Sequence, residues 1–138
     1  MAENKKPKEQ GEQEEPKEID AYMESMKLYQ KVYDLLLYLY PVLAQFPKFE
    51  KFALQLQIKT ALFEILKSTI RFYKTSTKSH IYNADVELQY LKTLVRLSHD
   101  LEYKAMSNHR YEVTSGKLKE IGKIMGGIIE AIKSGKWK

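Results

Sequence analysis

Apolar residues recur along most of this chain at steps of three and four, the signature of one stripe on a 3.6-residue helix. The pattern is clearest from Leu91 to Ile132. There Leu91, Leu94, Leu97 and Leu101 form one set, and Tyr111, Thr114, Leu118, Ile121, Met125, Ile128 and Ile132 form another. A polar break near Ser107 and Asn108 separates them, so two amphipathic helices are expected. Upstream, Met23, Met26, Leu28, Tyr29, Val32, Tyr33, Leu35, Leu36, Leu39 and Tyr40 define an earlier helix with Asp20 as its cap. Pro41 should kink or end it, because proline lacks the N–H and crowds the preceding turn. The run LLLYLYPVLAQF is apolar on more than one side. One side is expected in a bundle core and the other against a neighbouring subunit, with Tyr33, Leu36 and Tyr40 at contacts between helices or between subunits.

Pro47 suits the first turn of a second helix running to about Thr75, some 28 residues or ~42 Å at 1.5 Å per residue. Leu54, Ile58, Ala61, Ile65 and Phe72 mark its buried stripe. The segment TSTKSHIYNAD reads as a loop, and Ser79 or Asn83 as the cap of a third helix that reaches about Ala105. The fourth helix should start between Ser107 and His109 and end near Ser134, with Gly135 as its stop. Within it Gly122 and Gly126 lie four apart, so both face one way and allow another helix to approach closely. No alternating strand pattern persists and no internal repeat is visible. The economical architecture is an all-α, up-down-up-down four-helix bundle over residues 19–134. Residues 1–18 are expected to form a disordered charged tail, and residues 135–138 a short basic C-terminal tail.

Charge sharpens this picture. The 138 residues carry 23 Lys and Arg against 18 Asp and Glu, a net charge of +5. Residues 1–18 hold six of the glutamates and four of the lysines. Subtracting these from the totals leaves 19 basic and 12 acidic groups, or +7, on the remainder. So basic a body attracts polyanions, of which nucleic acid is the commonest; a solubilising charged surface is the competing reading. Lys67, Arg71, Lys74 and Lys78 follow at steps of four, three and four, and Lys92 and Arg96 sit one turn apart. Like charges at that spacing repel by a few tenths of a kcal/mol per pair, which a polyanion would relieve. With Lys117 and Lys123 these form the candidate surface for a polyanion such as nucleic acid.

The search for chemistry is negative. There is no cysteine, hence no disulfide, thiol nucleophile or thiolate metal site, which is compatible with a reducing cytoplasm. His80, His99 and His109 show no HExxH or paired ligand spacing, and no metal or cofactor is expected. His99 followed by Asp100 is the only pair inviting an acid-base reading, but adjacent helix positions point about 100° apart. No GxxxxGK loop or GxSxG elbow occurs. No apolar run approaches the ~18 residues of a membrane span.

Two long stretches add a resemblance. LLLYLYPVLAQFPKFEKFALQLQIKTALFEIL, and then LQYLKTLVRLSHDLEYKAMSNHRYEVTSGKLKEIGKIMGGIIEAI, closely resemble the accessory variability determinant (Avd) proteins of diversity-generating retroelements. These group with the four-helix-bundle proteins encoded in ribosomal RNA intervening sequences. The likeness covers about residues 28–133, with FPKFEKF, LVRLSHDL and SNHRYEVTSGKLKEIGKIMGGII its most specific pieces. It implies a non-catalytic bundle assembled into a basic, barrel-like homopentamer. That assembly would bind the reverse transcriptase of the same retroelement and its template RNA, with cDNA a further candidate. It would thereby support mutagenic cDNA synthesis, or mutagenic retrohoming. A stand-alone binding module of the intervening-sequence type is the alternative. A small enzyme using His99 and Asp100 is the third reading, separated by whether His99→Ala changes the phenotype.

Overall fold

A computed structural model describes residues 20–137; the tail expected over residues 1–18 lies outside them. Four helices follow in order: α1 (Ala21–Leu43), α2 (Leu54–Thr75), α3 (Lys78–Asp100) and α4 (Asn108–Lys133). Each is antiparallel to the one before. Each packs on its two neighbours around the ring, α4 closing back onto α1, while the diagonal pairs stay apart. This is the up-down-up-down four-helix bundle. Its core is built by Leu28, Leu35, Leu39, Ile58, Leu62, Ile65, Phe72, Leu88, Leu91, Leu118 and Met125, all essentially inaccessible to solvent.

Local chemistry explains where each helix begins and ends. Asp20 stands in extended conformation and its Oδ1 accepts from the Met23 amide at 3.1 Å, satisfying a donor the first turn would leave open. Pro41 falls in the last turn of α1, where the helix ends two residues later at Leu43. The second helix starts later than its sequence predicts. Pro47 has ψ 143°, outside the helical region, and a 3₁₀ turn over Lys48–Glu50 follows it. Ala53 then breaks the path at φ −123° and ψ −107°, so α2 begins only at Leu54 and has 22 residues.

The expected loop TSTKSHIYNAD shrinks to Ser76 and Thr77. Ser76 takes the left-handed conformation, φ 57°, and its amide donates to the Phe72 carbonyl at 2.7 Å, closing α2. Thr77 is the cap residue of α3, so Ser79 and Asn83 lie inside the helix and cap nothing. At the other end α3 stops at Asp100, five residues before Ala105. Glu102 adopts φ 61° and its amide reaches the His99 carbonyl, while the Tyr103 amide reaches Ser98. That is the Schellman closure usually made by glycine. Glycine does make it at the end of α4: Gly135 has φ 76°, with its amide to Ile132 and that of Lys136 to Ala131. Ser107 caps the start of α4, its Oγ accepting from Arg110.

Two leucines leave the expected stripe. Leu97 and Leu101 are 44% and 48% exposed, because Val95 and Ser98 take the core positions of that turn. Ser98 and Thr69 are buried without loss, each hydroxyl donating to the carbonyl four residues back. Leu36, expected at a contact between helices or subunits, packs in the core of the bundle. Trp137, in the expected C-terminal tail, lays its ring 5.4 Å from that of Phe72.

The glycines of α4 divide. A Cβ on Gly122 would meet the Leu88 side chain at 3.6 Å and the Lys92 Nζ at 3.3 Å, so its small size brings α3 close. A Cβ on Gly126 or Gly127 would meet no other group of the described residues within 4 Å beyond its own helix turn. Gly126→Ala is therefore expected to stabilise the isolated chain by about 1 kcal/mol, the helix-propensity difference, read from the urea midpoint. A stability left unchanged or lowered would place another molecule against that position.

Candidate nucleic-acid interface

The polar edges of α3 and α4 meet in a groove of about 330 Å³. From α3 come Gln89, Lys92, Thr93 and Arg96; from α4 come Tyr111, Ser115 and Lys119; Val95 and Leu118 form the apolar floor. Helical spacing accounts for the arrangement. Gln89, Lys92 and Arg96 recur at three and four along α3, as Tyr111, Ser115 and Lys119 do at steps of four along the facing edge of α4. Lys92 is half-buried and its stem lies across the groove, its ammonium head over Gly122. Arg96 and Lys119 stand at the exposed rim. Three cations on two rigid helices, with hydrogen-bonding groups between them and, among the described residues, only Arg96 paired, to Asp100 at 3.5 Å, make a surface that suits phosphate oxygens.

The groove continues toward the start of α4 past His99, Asn108, His109 and Glu112. His99 stacks flat on Tyr111, centroids 4.2 Å apart at 12°, and its Nε2 lies 2.7 Å from Asn108 Oδ1. The Asp100 carboxylate lies 3.5 Å from Arg96 Nε and 3.6 Å from His99 Nδ1, so these neighbouring side chains do converge. The contacts of His99 with Tyr111 and Asn108 join the end of α3 to the start of α4. Among the described residues no group of three or more metal-ligating side chains comes together.

The eight basic residues marked in the sequence do not share one face. Lys92 and Arg96 enter the groove. Lys67, Arg71 and Lys74 line the outside of α2, at the corner of the bundle opposite α4. Lys67 is 3.3 Å from Glu64, and Lys74 lies 6.0 Å over the Tyr73 ring. Lys78 opens α3 and so does not continue the α2 stripe. Lys117 turns to the α1 side of α4, its Nζ 5.1 Å from the Tyr38 centroid, and Lys123 is exposed on α4. The groove residues that sequence reasoning misses are Gln89, Thr93, Ser115 and Lys119, together with Tyr111, which its apolar stripe assigns to the core or an interface. Their four-residue spacing is the signal that could have found them.

A second surface lies across α1 and α2. Leu37 is 60% exposed, and Tyr33, Tyr40, Leu56 and Phe63 are each more than two-fifths exposed. Tyr33 stacks on Tyr29 at 6.5 Å and 17°, and Tyr40 meets Phe63 edge-on at 6.5 Å with Lys59 over its other side. Contiguous exposed apolar side chains of this kind mark interaction surfaces.

No helix among the described residues is long and apolar enough to cross a membrane. No curated protein matches the chain. The family model described as bAvd-like matches residues 26–132, from the second turn of α1 to the end of α4. The match takes in all four helices, the groove and the apolar face, and the chain belongs to the bAvd-like family.

Proposed function

We propose that this chain is a non-catalytic accessory subunit of a diversity-generating retroelement, which binds template RNA and the cognate reverse transcriptase through its basic surfaces. Membership of the bAvd-like family supports the setting. The observation that carries the reading is the α3–α4 groove, where Lys92, Arg96 and Lys119 converge on rigid helices. The stripe of Lys67, Arg71 and Lys74 on α2 offers a second basic contact on the far side of the bundle. The face of Leu37, Tyr40 and Phe63 supports assembly into a closed ring of five, which would repeat both basic surfaces around a common axis.

Charge reversal of the groove, Lys92→Glu with Arg96→Glu and Lys119→Glu, should weaken RNA binding at least tenfold at physiological salt. The salt slope should fall by roughly 0.7 to 0.9 for each phosphate that is no longer neutralised. Helicity should be unchanged, because none of the three side chains belongs to the core. An unchanged affinity and slope, measured by fluorescence anisotropy against salt, would remove the groove from the interface.

A further inference from the structure

The link between α1 and α2 carries the two most exposed large apolar side chains among the described residues, Phe52 at 81% and Phe49 at 75%. Neither builds the core or belongs to the α1–α2 face. The link is nevertheless well ordered by its bonds. The Glu50 amide donates to Pro47, that of Lys51 to Lys48 and that of Ala53 to Glu50, so the backbone makes a 3₁₀ turn over Lys48–Glu50 and a further turn up to Ala53. Phe49 in the 3₁₀ helix and Phe52 in the turn that follows, three residues apart, both stand in solvent at this end of the bundle, with the exposed Lys48 and Lys51 each preceding one of them in the chain.

Side chains hold the coil in place. Glu50 Oε1 accepts from the Leu54 amide at 3.1 Å and Oε2 from the Tyr103 hydroxyl at 2.6 Å. The bond to that carboxylate holds the Tyr103 proton above the usual phenol range, with burial and the negative charge acting in the same direction. The Tyr103 ring meets Phe46 at 6.0 Å and Phe49 at 6.2 Å, edge to face, linking the exposed ring to the core. Arg110 ties the same end together, donating to Gln45 and to the Ala105 carbonyl. Because both Glu50 oxygens are occupied inward, the charges this coil shows outward are Lys48 and Lys51, with Lys51 Nζ 5.5 Å from the Phe52 centroid.

We infer that this turn is a stacking site for unpaired bases, with Phe49 and Phe52 each taking a base face and Lys48 and Lys51 the flanking phosphates. The inference rests on the nucleic-acid reading above and adds a preference for single strands. Alternation of ring and ammonium favours this occupant over an apolar protein surface, which would strand two lysines against dry contacts. A nucleotide brings a π-face and a phosphate together.

The test is anisotropy with a fluorescent (U)₂₀ strand and with a duplex RNA of equal length, at one salt concentration. Phe49→Ala with Phe52→Ala should weaken (U)₂₀ binding about tenfold or more, leave the duplex unaffected, and keep helicity and oligomer mass. Phe49→Trp with Phe52→Trp should restore the strand, since stacking needs a ring and not a particular side chain. Equal loss on both RNAs, no loss on either, or a fall in oligomer mass would overturn the inference. So would intact strand binding with loss only of co-purification with the reverse transcriptase, which would make the turn a protein contact. If the unmodified protein binds neither RNA, the broader nucleic-acid reading fails; if it binds both and only the phenylalanine variants are silent, this site alone fails.

Discussion

Phe72→Ala should be among the most destabilising single substitutions of an apolar side chain in this bundle, costing about 3–5 kcal/mol. Phe72 is 1% exposed on the last turns of α2, and its ring also carries the C-terminal segment through Trp137 at 5.4 Å. Truncation removes the transfer free energy of the ring and leaves a cavity on both sides, toward the core and beneath the indole. The indole Nε1 is buried with no hydrogen-bond partner among the described residues, so the indole ring is held by packing and not by a side-chain hydrogen bond. Its anchoring should fail together with Phe72. Against a typical domain stability of about 5–15 kcal/mol the loss is a large fraction, equivalent to a melting point lower by roughly 10 °C or more. Urea unfolding at fixed protein concentration measures the first effect. The tryptophan emission maximum of the folded variant, shifted to the red, reads the second. A cost under about 1 kcal/mol would show that this end of the bundle collapses to fill the space.

That end also shows what a sequence can and cannot reveal. The existence and order of the four helices follow from apolar spacing, because burial of one stripe imposes a 3.6 period that nothing else in the chain mimics. Helix ends depend on one or two backbone conformations, and residue type predicts these only where the residue is special. Asp20, Ser107 and Gly135 are legible for that reason. Glu102 and Ser76, both left-handed without being glycine, are not, and so spacing alone misplaces the end of α3 and the turn after α2. Pro47 misleads in the opposite sense. Its fixed φ fits a first helical turn, but its ψ of 143° belongs to the chain leading into a 3₁₀ coil.

The candidate site is half legible. Lys92 and Arg96 declare themselves by spacing on one helix, whereas the approach of Lys119 and Tyr111 depends on how α3 and α4 are rotated against each other. That rotation shows in contacts between helices, such as Gly122 beside Leu88, which no single-helix period encodes. For the same reason charge spacing groups Lys67, Arg71 and Lys74 with residues from the opposite corner of the bundle. Leu36 and Leu37 make the point at one step. They are adjacent leucines, yet one is buried among the four helices and the other is 60% exposed. The difference is a rotation of about 100°, which decides core from surface.

Leu37→Glu combined with Phe63→Glu should convert the proposed pentamer to monomer, a change from five chain masses to one of 16.2 kDa by light scattering. Both side chains already stand in solvent in the single chain, on the face built around the Tyr40 and Phe63 contact, so the core and the helices should be unaffected. In a ring, a contact that buried this face would have to desolvate two carboxylates on every subunit, at several kcal/mol for each unpaired charge. Head-to-tail closure uses two different patches per subunit, so spoiling one patch breaks every contact in the ring at once. Leu37→Met preserves apolar area and should keep the assembled mass. The monomeric variant should also bind RNA more weakly with its groove intact, because repeated basic sites act together only when they are joined. A double variant that keeps the parental mass would move the subunit contact off α1 and α2. A parental protein already monomeric at micromolar concentration would dispose of the ring, leaving Tyr33, Leu37, Tyr40, Leu56 and Phe63 as a face for a different partner.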